Sequence, residues 1–147
     1  MILYCDTSAL VKLYFHESHS AEVIAQRGEA EALAISSVGF AEFFAALNRK
    51  QREGGLEARV HQVAAARFRK EWLSLVRVEV TEELNETIMR LLAAYPLRGF
   101  DAIHLASALL LRERLKAGEV RFASFDERQR HAAGQESLAV VPKLAEE

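Results

Sequence analysis

Glu42 is the only polar side chain in the run Val38-Gly39-Phe40-Ala41-Glu42-Phe43-Phe44-Ala45-Ala46-Leu47. At helical spacing its neighbours are Val38, Gly39, Ala45 and Ala46, so no cation on its own helix can pair with it. A carboxylate on a stripe that faces protein needs a cation or hydrogen bonds from elsewhere. A Glu at the rim of a narrow exposed face is the bland alternative. Asp101 is placed similarly, at the start of the apolar stretch Asp101-Ala102-Ile103-His104-Leu105-Ala106-Ser107-Ala108. Asp6 follows the apolar run Met1 to Cys5, and Asp126 follows Val120 to Phe125. Helix capping would account for each of these three aspartates taken singly. His104, one turn after Asp101, either supports a site or is a satisfied core residue.

Taken together the four acids point to a metal. Carboxylates ~4 Å apart repel by about 4 kcal/mol per pair at an effective dielectric of about 20. A divalent cation removes that conflict, and all-oxygen ligands select Mg²⁺ or Mn²⁺ over zinc or copper. Such a centre neutralises phosphoryl oxygens and lowers the pKa of water, which suits phosphodiester hydrolysis. Thr7, Ser8 and Ser124 set hydroxyls beside two of the acids, where they could orient a carboxylate or a water. The chain carries 21 acidic and 19 basic residues, net −2, so it is not a strongly basic nucleic-acid binder. Setting the four acids aside leaves 17 acidic against those 19 basic side chains. Arg49, Lys50 and Arg52, then Arg67, Arg69 and Lys70, cluster on helices, as a surface meeting a nucleic-acid backbone would require. Solvated helix faces explain the same clusters.

The elements that must position these residues follow from periodicity. Met1–Cys5, Ala32–Ile35, Leu75–Val80, Val120–Phe125 and Leu138–Val141 read as five short strands. Between them lie helical patterns over Ala9–Phe15, His19–Arg27 with Ser18 as cap, Ser36 or Ser37 to Arg52, Leu56–Leu73, a helix capped by Thr81, Asp101–Ala117 and Asp126–Ala133. Val60, Val63, Ala64, Phe68 and Trp72 share one face of the Leu56–Leu73 helix. Strands alternating with helices predict an α/β fold whose parallel sheet is covered on both faces. In such sheets ligand chemistry lies beyond the carboxyl ends of the strands. Asp6 and Asp126 would share that edge if their strands are neighbours.

The chain is 147 residues long, 50% hydrophobic and 27% charged, which suits one folded domain spanning 1–147. With 7 Gly and 2 Pro it is no turn-rich sandwich or low-complexity chain. Cys5 is the only cysteine, which excludes an internal disulfide and a Cys-based zinc site and fits the cytoplasm. No apolar run approaches the ~20 residues of a membrane helix. The start of the chain has no basic n-region, so no signal peptide is expected. The apolar content of Ala9–Phe15 and of the Glu42 helix exceeds one core face, so a groove for a partner protein is expected there.

Asp6-Thr7-Ser8-Ala9-Leu10-Val11-Lys12-Leu13-Tyr14 resembles the opening of PIN-domain nucleases, and among them the VapC-type toxins of toxin–antitoxin pairs. The segment Ser36 to Asn48 resembles their second motif, Phe100 to Ala108 the third, and Ser124-Phe125-Asp126 the fourth. The resemblance spans nearly the whole chain. It implies a PIN-like α/β/α sandwich with a central parallel sheet of about five short strands. It also implies a metal-dependent endoribonuclease toxin that uses Mg²⁺, with Mn²⁺ also supporting activity, and leaves 5′-phosphate and 3′-hydroxyl ends. Asp6, Glu42, Asp101 and Asp126 would be catalytic residues and metal ligands, Asp6 and Asp101 foremost, with Thr7, Ser8, Ser124 and His104 in support. The implied partners are an RNA substrate, a cognate antitoxin protein and a second copy in a homodimer. Two departures stand out: Ser124 where Thr is more usual, and Gln129-Arg130 where an apolar residue is expected.

Other α/β proteins that use Mg²⁺ fit less well. A haloacid-dehalogenase phosphatase needs a second Asp where Ser8 stands, and a receiver domain needs a late-strand Lys. The remaining alternative is a non-catalytic PIN-like module that binds RNA or protein around a structural metal.

Overall fold

The computed structural model describes residues 1–115 and 118–145. Its strands are β1 (Ile2–Cys5), β2 (Ala32–Ser36), β3 (Val76–Val78), β4 (Val120–Ala123) and β5 (Ala139–Val141). Its α-helices are α1 (Thr7–Leu10), α2 (Ser20–Glu29), α3 (Gly39–Arg52), α4 (Ala58–Trp72), α5 (Asn85–Ala94), α6 (Gly99–Leu115) and α7 (Glu127–Gln135). The five strands form one all-parallel sheet in the order β3-β2-β1-β4-β5. The expected end of the α6 helix at Ala117 falls outside the described residues. Among the described residues no helix is long and apolar enough to cross a membrane.

The strands are apolar on both faces because both faces are covered. Leu3, Cys5 and Ile35 look into one core, built with Leu10, Phe43, Leu47 and Phe68 from α1, α3 and α4. Tyr4, Ala34 and Phe122, one residue out of phase, look into the other, built with Leu91, Leu105, Ala108 and Ala132 from α5, α6 and α7. The expected three-layer sandwich is therefore present. Its strand order reverses at the β1–β4 pair, where Cys5 lies opposite Ala123. Chain order runs outward from β1 through β2 to β3 on one side, and from β4 to β5 on the other. A crevice opens beyond the carboxyl ends of strands at such a reversal.

Several local expectations are corrected. The stretch expected as one helix over Ala9–Phe15 is α1 followed by a single 3₁₀ turn, Val11–Leu13. Its apolar side chains are used mostly inside: Ala9, Leu10, Val11, Tyr14 and Phe15 are all buried, and the edges of Val11 and Phe15 reach an open groove shared with Ala45 and Ala46 of α3. Neither Ser36 nor Ser37 caps α3, which starts after Val38 with no side-chain cap. Ser36 instead ends β2 and is fully buried. His19, in the left-handed region with φ 67°, precedes α2 in place of Ser18. On α4, Ala64 and Phe68 are buried, but Val60 and Val63 are 40% and 59% exposed. The helix rolls so that only part of the expected stripe meets α3.

Candidate active site

The carboxyl ends of β1 and β4 place Asp6 at the strand-order reversal. Its backbone N–H donates to the Ala123 carbonyl at 3.1 Å, extending the β1–β4 ladder by one residue. Its side chain caps α1 by accepting from the Ala9 N–H at 3.0 Å. The Ser8 hydroxyl donates to the same oxygen, Oδ1, at 2.6 Å, and the Ser124 hydroxyl donates to Oδ2 at 2.5 Å. Capping and site-building are thus the same contact. Burial pushes the Asp6 carboxyl up, and the charge of His104 and the hydrogen bonds from Ser124, Ser8 and Ala9 only partly offset it.

Glu42 projects from the first turn of α3, which lies tight against β2. A Cβ on Gly39 would stand 2.2 Å from Ile35 Cδ1 and 2.6 Å from Cγ1, so only glycine allows this approach. The partners that its own helix cannot supply come from two other elements. Thr7 Oγ1 donates to Glu42 Oε1 at 2.8 Å, and His104 Nε2 lies 2.6 Å from the same oxygen. Burial would raise the Glu42 carboxyl, but the hydrogen bond and charge of His104, with the Thr7 hydroxyl, bring it below the usual range. An ionised Glu42 can only accept, so His104 Nε2 carries the proton. In the neutral ring, Nδ1 then accepts from the Tyr4 hydroxyl, 2.9 Å away. Tyr4 had no place in the sequence reading. The available signal was a tyrosine inside an apolar strand, since a buried hydroxyl must find a partner.

Asp101 lies in the first turn of α6, where its Oδ2 accepts from the Arg98 N–H at 3.2 Å. Asp126 is exposed and caps α7, with Oδ1 accepting from the Gln129 N–H at 2.9 Å. Its own N–H donates to Ser124 Oγ at 3.1 Å, so Ser124 joins Asp126 to Asp6. Gln129 and Arg130, which stand where an apolar residue was expected, are structural ties. Gln129 is fully buried, and its Nε2 donates to the Asp101 carbonyl at 3.0 Å. Arg130 donates to the Ser124 carbonyl at 2.8 Å and to the Pro142 carbonyl at 2.7 Å. A polar pair replaces apolar packing there and pulls α7 onto α6 and β4.

These contacts run from acid to neighbour, not into one knot. Among the described residues, no three His, Cys, Asp or Glu side chains stand close enough to hold one ion. The donor set nevertheless fits a hard divalent cation in kind. Glu42 Oε2, Asp101 Oδ1 and Asp126 Oδ2 have no hydrogen-bond partner among the described residues. Glu42 and Asp126, with Thr7 and Ser8, line an open groove of about 870 Å³ whose walls also carry Lys12, Arg49, Lys50, Arg98 and Phe125. Asp101 and Asp126 share a smaller depression with Arg98. Asp6 lies behind the groove, one hydrogen bond from Ser8.

Comparison with known proteins agrees with this architecture. The PIN domain family profile matches residues 3–135. Ribonuclease VapC47 of Mycobacterium tuberculosis (strain CDC 1551 / Oshkosh) is 33% identical over 132 residues, covering 86% of each chain. FitAcB from Neisseria gonorrhoeae superposes with a TM-score of 0.64 at 16% identity, over 97% of each chain. A toxin–antitoxin complex from Klebsiella pneumoniae superposes with a TM-score of 0.59 at 19% identity, over 88% of this chain and 89% of its own.

Proposed function

The chain belongs to the PIN domain family, and from that premise we propose that it is the endoribonuclease toxin of a toxin–antitoxin pair, hydrolysing RNA phosphodiester bonds with Mg²⁺ or Mn²⁺. The observation that carries the proposal is the pairing of carboxylates at the strand-order reversal with a groove walled by cations. The match to a VapC ribonuclease over most of both chains supports RNA as the substrate.

Asp6, Glu42, Asp101 and Asp126 would hold the ion. When bound, it supplies positive charge to the phosphoryl oxygens and eases deprotonation of water. The side chains supply the rest. Asp6 is immobilised by three donors and forms the fixed base of the site. Thr7 and His104 hold Glu42 by Oε1, which leaves Oε2 to face the ion directly or through a water. Ser124 couples Asp126 to Asp6, and the Arg98 N–H fixes one oxygen of Asp101.

Purified protein incubated with a pool of RNAs in Mg²⁺, Mn²⁺ or EDTA, read by end-mapped sequencing, tests this. Cleavage with either ion, none in EDTA, and 5′-phosphate ends are expected. Cleavage in EDTA would remove the metal from the mechanism. Intact RNA in every condition would leave the non-catalytic binding module. The likeness to a toxin–antitoxin complex supports a cognate antitoxin. Co-purification with the product of a short neighbouring reading frame, with loss of cleavage, checks it. The homodimer is checked by light scattering at micromolar concentration, where a monomer would refute it. The lone buried thiol Cys5 fits a cytoplasmic site of action.

A further inference from the structure

Four cations line the groove, and two of them are already engaged. Lys12 Nζ donates to Glu17 Oε1 at 2.9 Å, and Lys50 Nζ donates to Glu17 Oε2 at 2.7 Å. Both ammonium groups also lie over aromatic rings, Lys12 4.6 Å from the Phe125 centroid and Lys50 4.8 Å from that of Phe15. Glu17 therefore neutralises part of this charge and holds both lysines in place. Arg49 and Arg98 differ: among the described residues neither side chain makes a hydrogen bond or ion pair. Arg49 is on the last turn of α3. Arg98 is the more telling, because with Asp126 it lines both the groove and the depression that holds Asp101. Its backbone N–H holds Asp101 Oδ2, so residue 98 itself is anchored at a site acid.

A guanidinium that stands beside carboxylates without pairing keeps its fork of donors free for another planar or tetrahedral anion. We propose that Arg98 contacts the scissile phosphate and stabilises the charge that builds on its non-bridging oxygens, while Arg49 holds a flanking phosphate of the same strand. The proposal rests on the nuclease reading above. In the step it serves, a bond forms between the water oxygen and phosphorus as the bond from phosphorus to O3′ breaks. The water gives up one proton and O3′ gains one. The negative charge on the non-bridging oxygens peaks between these states, where a fixed donor acts most strongly.

The two arginines therefore differ in what their loss changes. At saturating metal and RNA, Arg98→Ala should lower kcat about a hundredfold, the scale of losing one transition-state donor. Arg98→Lys, which restores charge but not the fork, should recover only part of it. Arg49→Ala should act mainly through KM, raising it several-fold. A second readout needs no cleavage. In the Asp6→Asn background with Mg²⁺, binding of a single-stranded RNA oligonucleotide is followed by fluorescence anisotropy against salt. Arg98→Ala and Arg49→Ala should each reduce the log–log salt slope by about 0.7, one phosphate contact on a single strand. An Arg98→Ala protein with kcat within about threefold of wild type, or with an unchanged salt slope, overturns the proposal. If wild type cleaves no RNA, the nuclease reading fails, and the salt slope still decides whether Arg98 touches a phosphate.

Discussion

Asp6 accepts three hydrogen bonds, yet burial still holds its carboxyl above the usual range. A group kept in so costly a place, at the point where β1 meets β4, fits a charge that a cation will share. Asp6→Asn and Asp101→Asn should each lower RNA cleavage by at least about a hundredfold, measured as initial rates on a labelled RNA. Unchanged rates with the circular dichroism spectrum intact would remove either residue from the site. Glu17 shows the opposite balance. Burial alone would raise its carboxyl, but Lys50 and Lys12 outweigh it and bring it below the usual range. A carboxylate lowered on folding stabilises the protein above its unfolded pKa, and that contribution is lost as pH falls through the folded value. Glu17→Gln should therefore cost about 1 kcal/mol at pH 7, a partly exposed pair of ion pairs being worth little more. The difference from wild type should shrink once the pH drops below the ordinary glutamate value of 4.5. Urea unfolding of both proteins at pH 7 and pH 3 checks the sign.

At the scale of elements, α3 determines how far Glu42 reaches toward His104 and Thr7. Its first turn rests on Ile35 through the missing side chain of Gly39. Alanine is the better helix former by about 1 kcal/mol, so propensity alone predicts that Gly39→Ala stabilises. The contact predicts the reverse, because Ile35 is fully buried and its Cγ1 as well as its Cδ1 would have to move. Overpacking of this kind costs about 1–3 kcal/mol, so the net effect should be destabilising, with a lower Tm and weaker cleavage as Glu42 shifts. A higher Tm would show that α3 has room to slide. On the other face of the sheet, α7 is held to α6 by Gln129 and to β4 and the segment after β5 by Arg130. These ties set the distance between Asp126 and Asp101.

For the molecule as a whole, metal binding and folding are linked through these acids. Mn²⁺ that binds only the folded state should raise the Tm of wild type. Without metal, Asp101→Asn should raise Tm by removing one like charge. The gain should be small, about 0.5–1 kcal/mol, because the acids contact intermediaries and do not crowd one another. The Mn²⁺ effect should shrink in the variant. If Asp101 served only the helix start, Asn would accept from the Arg98 N–H equally well, apo stability would barely move, and Mn²⁺ would act alike on both proteins. Scanning calorimetry in EDTA and in Mn²⁺, on both proteins, separates these outcomes.

By itself the sequence determined the sandwich, the strand ends that Asp6 and Asp126 follow, and the helices that carry Glu42 and Asp101. Short apolar runs, helical spacing and helix caps are local properties, written within a dozen neighbouring residues. It also showed that Glu42 lacks a partner on its own helix. Only the tertiary structure decided who that partner is, since His104 lies 62 positions away and Thr7 lies 35. The same holds for Gln129, polar in sequence and fully buried in the fold because the Asp101 carbonyl faces it. Val63 is the converse case, apolar in sequence yet outside because α4 meets α3 along a narrower line than its stripe. Burial and pairing belong to the contact between elements, and the angle and roll of that contact are set by packing across the whole chain.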